Sequence, residues 1–404
     1  MTAGAREPVA DWATDFDHLD PAWATEPHAI WDDLRQRCPV AHTDRYGGVW
    51  LPTRYDDVRA VAYDTENFTS LFAVVEERPP DPVGPWGNAP PLTADPPHHR
   101  PARRLLLPAF SAAAVAELEP FTRQLCDRLL DAIEARDTCD AAKEYAQHVP
   151  ATVISHLLGL PGDDADFLRG YVGDLVEGLG MAPGERRGKR DAFMAYLDRH
   201  IDAHEAEPRD DLIGHLLQLE LDGVRLSREQ VRGMVNLVVV AGVDTTWSAI
   251  GASIWHLATH PDDRSRLLDE PSLLPSAIEE FLRAYSPVSI ARRAVKDIEV
   301  GGSQVAAGDW VLLPFPAANR DPDHFPNAGR VVIDRERNRH CAFGLGIHRC
   351  LGAGLARMEI RVALERWLAR IPEFELDDPG AVTWSAGQTR GPRAIPMRIG
   401  WRRP

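Results

Sequence analysis

Apolar positions along the chain follow helical spacing over most of its length. From Glu26 to Cys38, Ile30, Trp31 and Leu34 recur on one face and Pro39 ends the run, which predicts a first helix. Val40 to Thr53 reads instead as two short strands turned at Gly47-Gly48, and Tyr55 to Tyr63 returns to the helical period. Glu77 to Pro97 is too rich in proline for regular structure, yet holds Trp86 and Leu92, which suit a functional loop better than a solvated linker. Between Arg103 and about His260 the pattern is helical, punctuated at Pro108, Pro120, Gly159-Leu160-Pro161, Gly184 and Pro208-Arg209-Asp210. Ser227 and Gln230 form a capping box that opens the longest helix, apolar nearly all round and so predicted to be buried. After a helix from Pro275 to Tyr285 come short β segments, Arg293 to Val300, Gln304 to Val305 and Trp310 to Pro314, with Thr383 and Pro396 to Ile399 later. The expected fold is mostly α with small β-sheets.

Composition narrows the function. The chain has 404 residues, 44% hydrophobic and 26% charged, enough to bury a large core. Asp+Glu of 61 against Lys+Arg of 45 gives a net charge of −16, which repels nucleic acid and anionic membrane. Only Lys143, Lys189 and Lys296 are lysines, so nearly every cation is a guanidinium suited to carboxylates and stacking. The amino terminus, Met1 to Asp20, lacks an apolar segment behind a basic start, and the apolar stretch Met234 to Val243 is short of the roughly 20 residues of a membrane helix. Cys38, Cys126, Cys139, Cys341 and Cys350 are irregularly spaced, unlike a disulfide framework. A cytoplasmic protein is expected.

The most specific chemistry lies in Phe343-Gly344-Leu345-Gly346-Ile347-His348-Arg349-Cys350-Leu351-Gly352, followed by helical sequence from Ala353 to Ile371. Glycines let a backbone approach a flat ring closely, and a helix that starts just after a cysteine aims its positive end at the sulfur. This run resembles the haem-binding loop of the cytochrome P450 family, F-G-x-G-x-H-x-C-x-G, at every fixed position. The resemblance implies the family's fold, a helical bundle around a buried haem b over residues 1–404 as a single haem domain. It also implies iron ligated by Cys350, with Phe343, Gly344 and Gly352 shaping the loop around the haem. Cys341, which precedes the glycines, is expected to be a packing residue.

Other motifs fall in the order that the family requires. Glu280-Phe281-Leu282-Arg283 resembles its E-x-x-R helix, a structural pair on one helix face completed by an arginine from the meander, here assigned to Arg330. Ala241-Gly242-Val243-Asp244-Thr245-Thr246 resembles the A-G-x-D-T-T oxygen-activation segment; there Gly242 weakens the helix, the Thr245 hydroxyl draws a carbonyl out of the ladder, and Asp244 with Thr245 delivers protons. From the residues alone, Asp244 could instead cap a separate helix. His99 and Arg103, Arg292, and His348 match positions that bind the haem propionates, with His98 and Arg293 as alternatives one residue away.

The resemblance further implies a monooxygenase that hydroxylates or O/N-dealkylates a small or medium apolar molecule using O2. No flavin, nucleotide or iron–sulfur motif follows the haem loop, so electrons are expected from a ferredoxin or flavodoxin-type donor with its NAD(P)H reductase. Arg100, Arg103, Arg104, Arg349, Arg357 and Arg361 are expected to form a basic docking patch on the cysteine side. Substrate contacts are assigned to Trp86, Leu92, Leu175, Val238, Ala241, Val288, Ile290 and Gln388, drawn from the Pro-rich segment, the region Phe167 to Met181, the long helix, the strand after E-x-x-R and the turn near residue 388. Trp247 and Thr383 to Gln388 are similar to haem domains fused to an iron–sulfur flavin reductase. Two other readings remain, peroxide-driven oxygenation, against which the Asp-Thr pair speaks, and a haem-thiolate gas sensor without turnover.

Overall fold

The computed structural model describes residues 7–400 apart from 77–83, 178–180, 182 and 222. Parts of the Pro-rich segment and of the region Phe167 to Met181 therefore lie outside the described residues. Helices dominate, and the expected elements form within a few residues of where the sequence places them: Pro27–Arg37, the strand pair Val40–Thr43 and Val49–Pro52, and Tyr55–Tyr63. Pro120 does not end a helix. Ala112–Asp131 runs through it, and Val115, Leu118, Thr122, Leu125 and Cys126 are buried as it packs along the Ala353–Arg370 helix. Packing against that helix outweighs the lost backbone donor.

The central helix, Arg228–Thr259, opens on the predicted capping box, with Ser227 and Gln230 bonding reciprocally. It has the length and apolarity of a membrane span, but helices His148–Leu158, Ala165–Glu177, Pro183–Ala206 and Ala353–Arg370 pack around it and most of its apolar window is buried. Gly242 serves a close crossing: a Cβ there would stand 2.7 Å from the Ile154 side chain of the neighbouring helix. The helix stays α-helical through residues 241–246.

A five-stranded sheet flanks the bundle in the order Val40–Thr43, Val49–Pro52, Trp310–Pro314, Ser289–Ala294, Phe68–Thr69. Trp310 lies beside Val49 in the parallel pair, and Leu312 opposite Ala291 in the antiparallel one. A three-stranded sheet, Phe374–Leu376, Pro396–Ile399 and Thr138–Asp140, closes the other end.

One buried carboxylate joins the helix Leu274–Ala284 to the stretch before the cysteine loop. Glu280 and Arg283 have fully buried side chains and make a bidentate pair, both contacts at 2.8 Å. The third partner is Arg335, not Arg330: Arg335 donates to Glu280 at 2.8 and 3.2 Å, while Arg330 offers only its backbone carbonyl, to Arg283, and its side chain is exposed. Val332 N–H and Asn338 also donate to Glu280. Removing one partner of a buried charge pair leaves the other uncompensated, so Arg335→Ala is expected to lower unfolding free energy by about 3–5 kcal/mol. Arg330→Ala, at an exposed side chain, is expected to change it by about 0.5 kcal/mol or less. Urea melts of the two variants check both expectations.

Candidate functional site

The loop before the Ala353–Arg370 helix is held shut by its own backbone. Cys350 N–H donates to the Phe343 carbonyl at 2.7 Å, and Gly344 and Gly346 take φ of 72° and 67°. Gly346 is also needed for space, since a Cβ there would lie 2.6 Å from the Ala62 carbonyl oxygen. Cys350 is accessible yet deep within the surrounding protein mass, as for a thiol that faces an internal space and not bulk solvent. Desolvation pushes its thiol pKa up, while the Gly352 N–H and the charges of Arg103, Arg349 and Arg357 pull it down. Phe343 lies under the Arg357 guanidinium, 4.3 Å from the ring centre. Cys341 is fully buried and bonded through backbone N–H and Sγ to Asn319 Oδ1 at 2.7 and 3.1 Å, a packing role.

Beside the thiol the protein gathers basic side chains that no carboxylate among the described residues pairs with directly. Arg292 is 4% exposed, and its Nη1 donates to the neighbouring Ala291 carbonyl at 2.8 Å; burial lowers its pKa to about 10. His99 and His348 meet edge to face at 4.5 Å, and the Nε2 of each is buried without a hydrogen-bond partner among the described residues. Desolvation, then Arg292, His99 and Arg103, drive the His348 pKa down to about 2. The carboxylate acting on Arg292 and His99 is Asp95, whose oxygens are already taken by Thr69 Oγ1 and Ser70 N–H. Burying charge unpaired is costly. Orphaned donors and cations beside a deep thiol fit a haem, whose propionates would satisfy Arg103, Arg292, His99 and His348 and whose iron would take the Cys350 sulfur. Of the one-residue alternatives, His98 is only half-buried, and Arg293 spends its Nε on the Gly308 carbonyl and lies over Phe72 and Trp310.

On the central helix Asp244 is 1% exposed and lies mid-helix, so it caps nothing. Its Oδ1 accepts from Arg393 Nη2 at 2.8 Å, and Arg393 Nη1 donates to Ser248 at 3.2 Å. Arg393 also lies over the Trp247 ring at 4.9 Å. The Thr245 hydroxyl donates to the Ala241 carbonyl at 2.7 Å, the expected back-bond, without breaking the helix. No sequence signal pointed to Arg393, which stands 149 positions from its partner.

The residues assigned to substrate are scattered in burial. Trp86 and Val238 are buried in the main core, Leu92, Leu175, Val288 and Ile290 are half-buried, and Ala241 is exposed. Gln388 is 8% exposed and its amide is occupied: Oε1 accepts from Val75 N–H at 2.6 Å, and Nε2 donates to the carbonyls of Ala73 and Ser289, both at 3.1 Å. It fastens segments together and has no polar atom left over for a ligand at these bonds. Of the six arginines expected to form a basic patch, Arg103 turns toward Cys350, Arg357 pairs with Glu279 at 2.6 and 2.8 Å, and Arg361 pairs with Glu119 at 2.6 Å. Arg100, Arg104 and Arg349 remain exposed, with no ion pair among the described residues.

Known proteins are similar to this chain in sequence and fold. The family described as Cytochrome P450 matches residues 184–382. A protein of Sinorhizobium fredii named probable cytochrome P450 127A1 is 38% identical, over 85% of this chain and 82% of its own. The mycinamicin IV hydroxylase/epoxidase of Micromonospora griseorubida is 36% identical over 90% of this chain and 94% of its own. The solved structure of the myxobacterial cytochrome P450 CYP267B1 in complex with myristic acid superposes with a TM-score of 0.86 at 34% identity, covering 95% of this chain and 99% of that one.

Burial raises the Glu279 pKa, but Arg357 and His340 outweigh it and bring it down to about 2 from an ordinary 4.5. A depressed carboxylate pKa stabilises the fold fully above the unfolded value and loses that contribution as pH falls through the folded one. Glu279→Gln is therefore expected to be less stable than the parent above pH 4.5, with the difference closing between pH 4.5 and about 2. Denaturation midpoints measured across that range test it.

Proposed function

The chain belongs to the cytochrome P450 family, enzymes that carry haem b, and from that premise we propose that it inserts one atom of dioxygen into a small or medium apolar organic molecule, by hydroxylation or O/N-dealkylation. The reading rests on the buried Arg292 and half-buried Arg103 together with the unpartnered Nε2 atoms of His99 and His348, gathered beside the deep Cys350 thiol. A relative named a mycinamicin IV hydroxylase/epoxidase, and a similar structure solved in complex with myristic acid, support an apolar substrate. The haem supplies the dioxygen chemistry. Cys350 would hold the iron, and the Gly352 N–H with the Arg103, Arg349 and Arg357 charges would steady the sulfur as an anion.

Protons are the task of the central helix. Asp244 and Thr245 are neighbours whose side chains leave the helix in different directions: the acid meets Arg393 and the hydroxyl bonds back to Ala241. Arg393 orients the carboxylate, and Asp244 passes a proton as it swings from Arg393 toward the hydroxyl. Thr245, with its hydrogen committed to Ala241, keeps oxygen lone pairs free to hold a water on that path. This domain works in the cytoplasm and receives electrons from a separate acidic ferredoxin or flavodoxin-type donor, fed by an NAD(P)H reductase. The exposed Arg100, Arg104 and Arg349 would greet that donor.

Cys350→His is expected to keep haem while losing the red-shifted Soret band of the ferrous carbonyl complex, read in one absorption spectrum. Thr245→Ala is expected to keep consuming NADH but release peroxide, with product formation down roughly 10²-fold, at the low end for a positioned proton-transfer group. Tightly coupled turnover in that variant would overturn the proton role.

A further inference from the structure

A second cavity, of about 640 Å³, lies away from the thiol, where the end of the central helix, the start of the helix Pro261–Asp269, Tyr285 and residues 329–331 meet His28 near the amino terminus. Arg320 lines it. This guanidinium is 9% exposed, donates from Nη2 to the Gly329 carbonyl at 3.0 Å, and leaves Nε without a hydrogen-bond partner among the described residues. No carboxylate among the described residues stands within salt-bridge distance of it. Its charged neighbours are committed: Arg283 to Glu280, and Arg35 to Asp32 at 2.7 Å. Arg390 donates to the Ala24 carbonyl and lies over Trp384. Burial, then the charges of Arg320, Arg390 and Arg283, hold the His28 pKa down to about 2, so this imidazole adds no charge to the cavity.

The far wall differs. Trp255, Pro261 and Val331 are apolar, Asp262 is exposed, and Asp263 accepts from His256 Nε2 at 2.9 Å, which in turn bonds Tyr285. The exposed Arg330 adds a second guanidinium at the rim. A largely buried guanidinium that lines a cavity with no carboxylate among the described residues in salt-bridge reach favours a planar or tetrahedral oxyanion, and the cavity is several times larger than a bare ion needs. We propose that this cavity binds a small organic anion, a carboxylate or phosphate ester, whose charged end is held by Arg320 and Arg330 and whose apolar body lies against Trp255.

Calorimetric titration of the haem-loaded full chain, with ionic strength held by chloride, tests this using phenyl phosphate, benzoate and inorganic phosphate. Saturable 1:1 binding of phenyl phosphate or benzoate is expected, weakened tenfold or more in Arg320→Gln and threefold or more in Arg330→Gln, with the haem spectrum unchanged. The tighter of the two organic probes identifies the class. Inorganic phosphate binding as well as phenyl phosphate would remove the organic body from the proposal. Absence of saturable binding, equal affinity in the variants, or a haem spectral change that tracks binding would overturn it. Should Arg320→Gln not fold, the exposed Arg330→Gln still decides.

Discussion

Six hydrogen bonds converge on the two oxygens of Glu280, from Arg283, Arg335, Val332 and Asn338, in a place sealed from water. A carboxylate so placed is stable only while every donor stays, because each lost partner leaves a desolvated charge behind. Arg283 passes the constraint on to the carbonyls of Asn319, Ala328 and Arg330. Asn319 in turn holds Cys341, where the cysteine loop begins. The position of the thiol is therefore set from a distance, through a chain of polar contacts that tolerates little slack.

From that anchor the site is built as an electrostatic deficit. Arg292, Arg103, His99 and His348 are brought together with too little negative charge to balance them, and the thiol beside them resists ionisation. Each feature alone destabilises the polypeptide. Together they match a group that carries anionic arms and a cationic metal, so the cost of burying them is offset on binding that group. The distal side uses opposite logic: the buried Asp244 on an apolar helix has a guanidinium partner, Arg393, at 2.8 Å.

Proteins similar to this one are named for, or bound to, varied organic molecules. Of the residues assigned to substrate contact, Trp86, Val288 and Ile290 lie in loops or at element ends, and Val238 and Ala241 lie on the central helix, while Phe343 to Gly352 form a closed loop before a long helix. Rigid parts carry the shared chemistry, and mobile connections are free to vary.

Local signals were enough for much of the fold. Helical periodicity, the Ser227–Gln230 box and the glycine turn at 47–48 depend on neighbours within a few residues, so the chain states them directly. The cysteine loop was legible for the same reason, being a short contiguous run whose backbone closes on itself at Phe343 and Cys350. Pro120 misled because a helix-breaking residue was read without the helix it packs on. Arg330 and Arg335 could not be ranked from sequence, since both follow the same helix and only the folded meander decides which guanidinium turns inward. Gln388 and Arg393 belong to the same class: their partners, Val75 and Asp244, lie hundreds of positions away or nearly so. Residue type and local spacing determined which chemistry this chain could carry. Tertiary packing alone decided which side chains complete it, because a buried charge is satisfied by whichever partner the fold brings within hydrogen-bond reach.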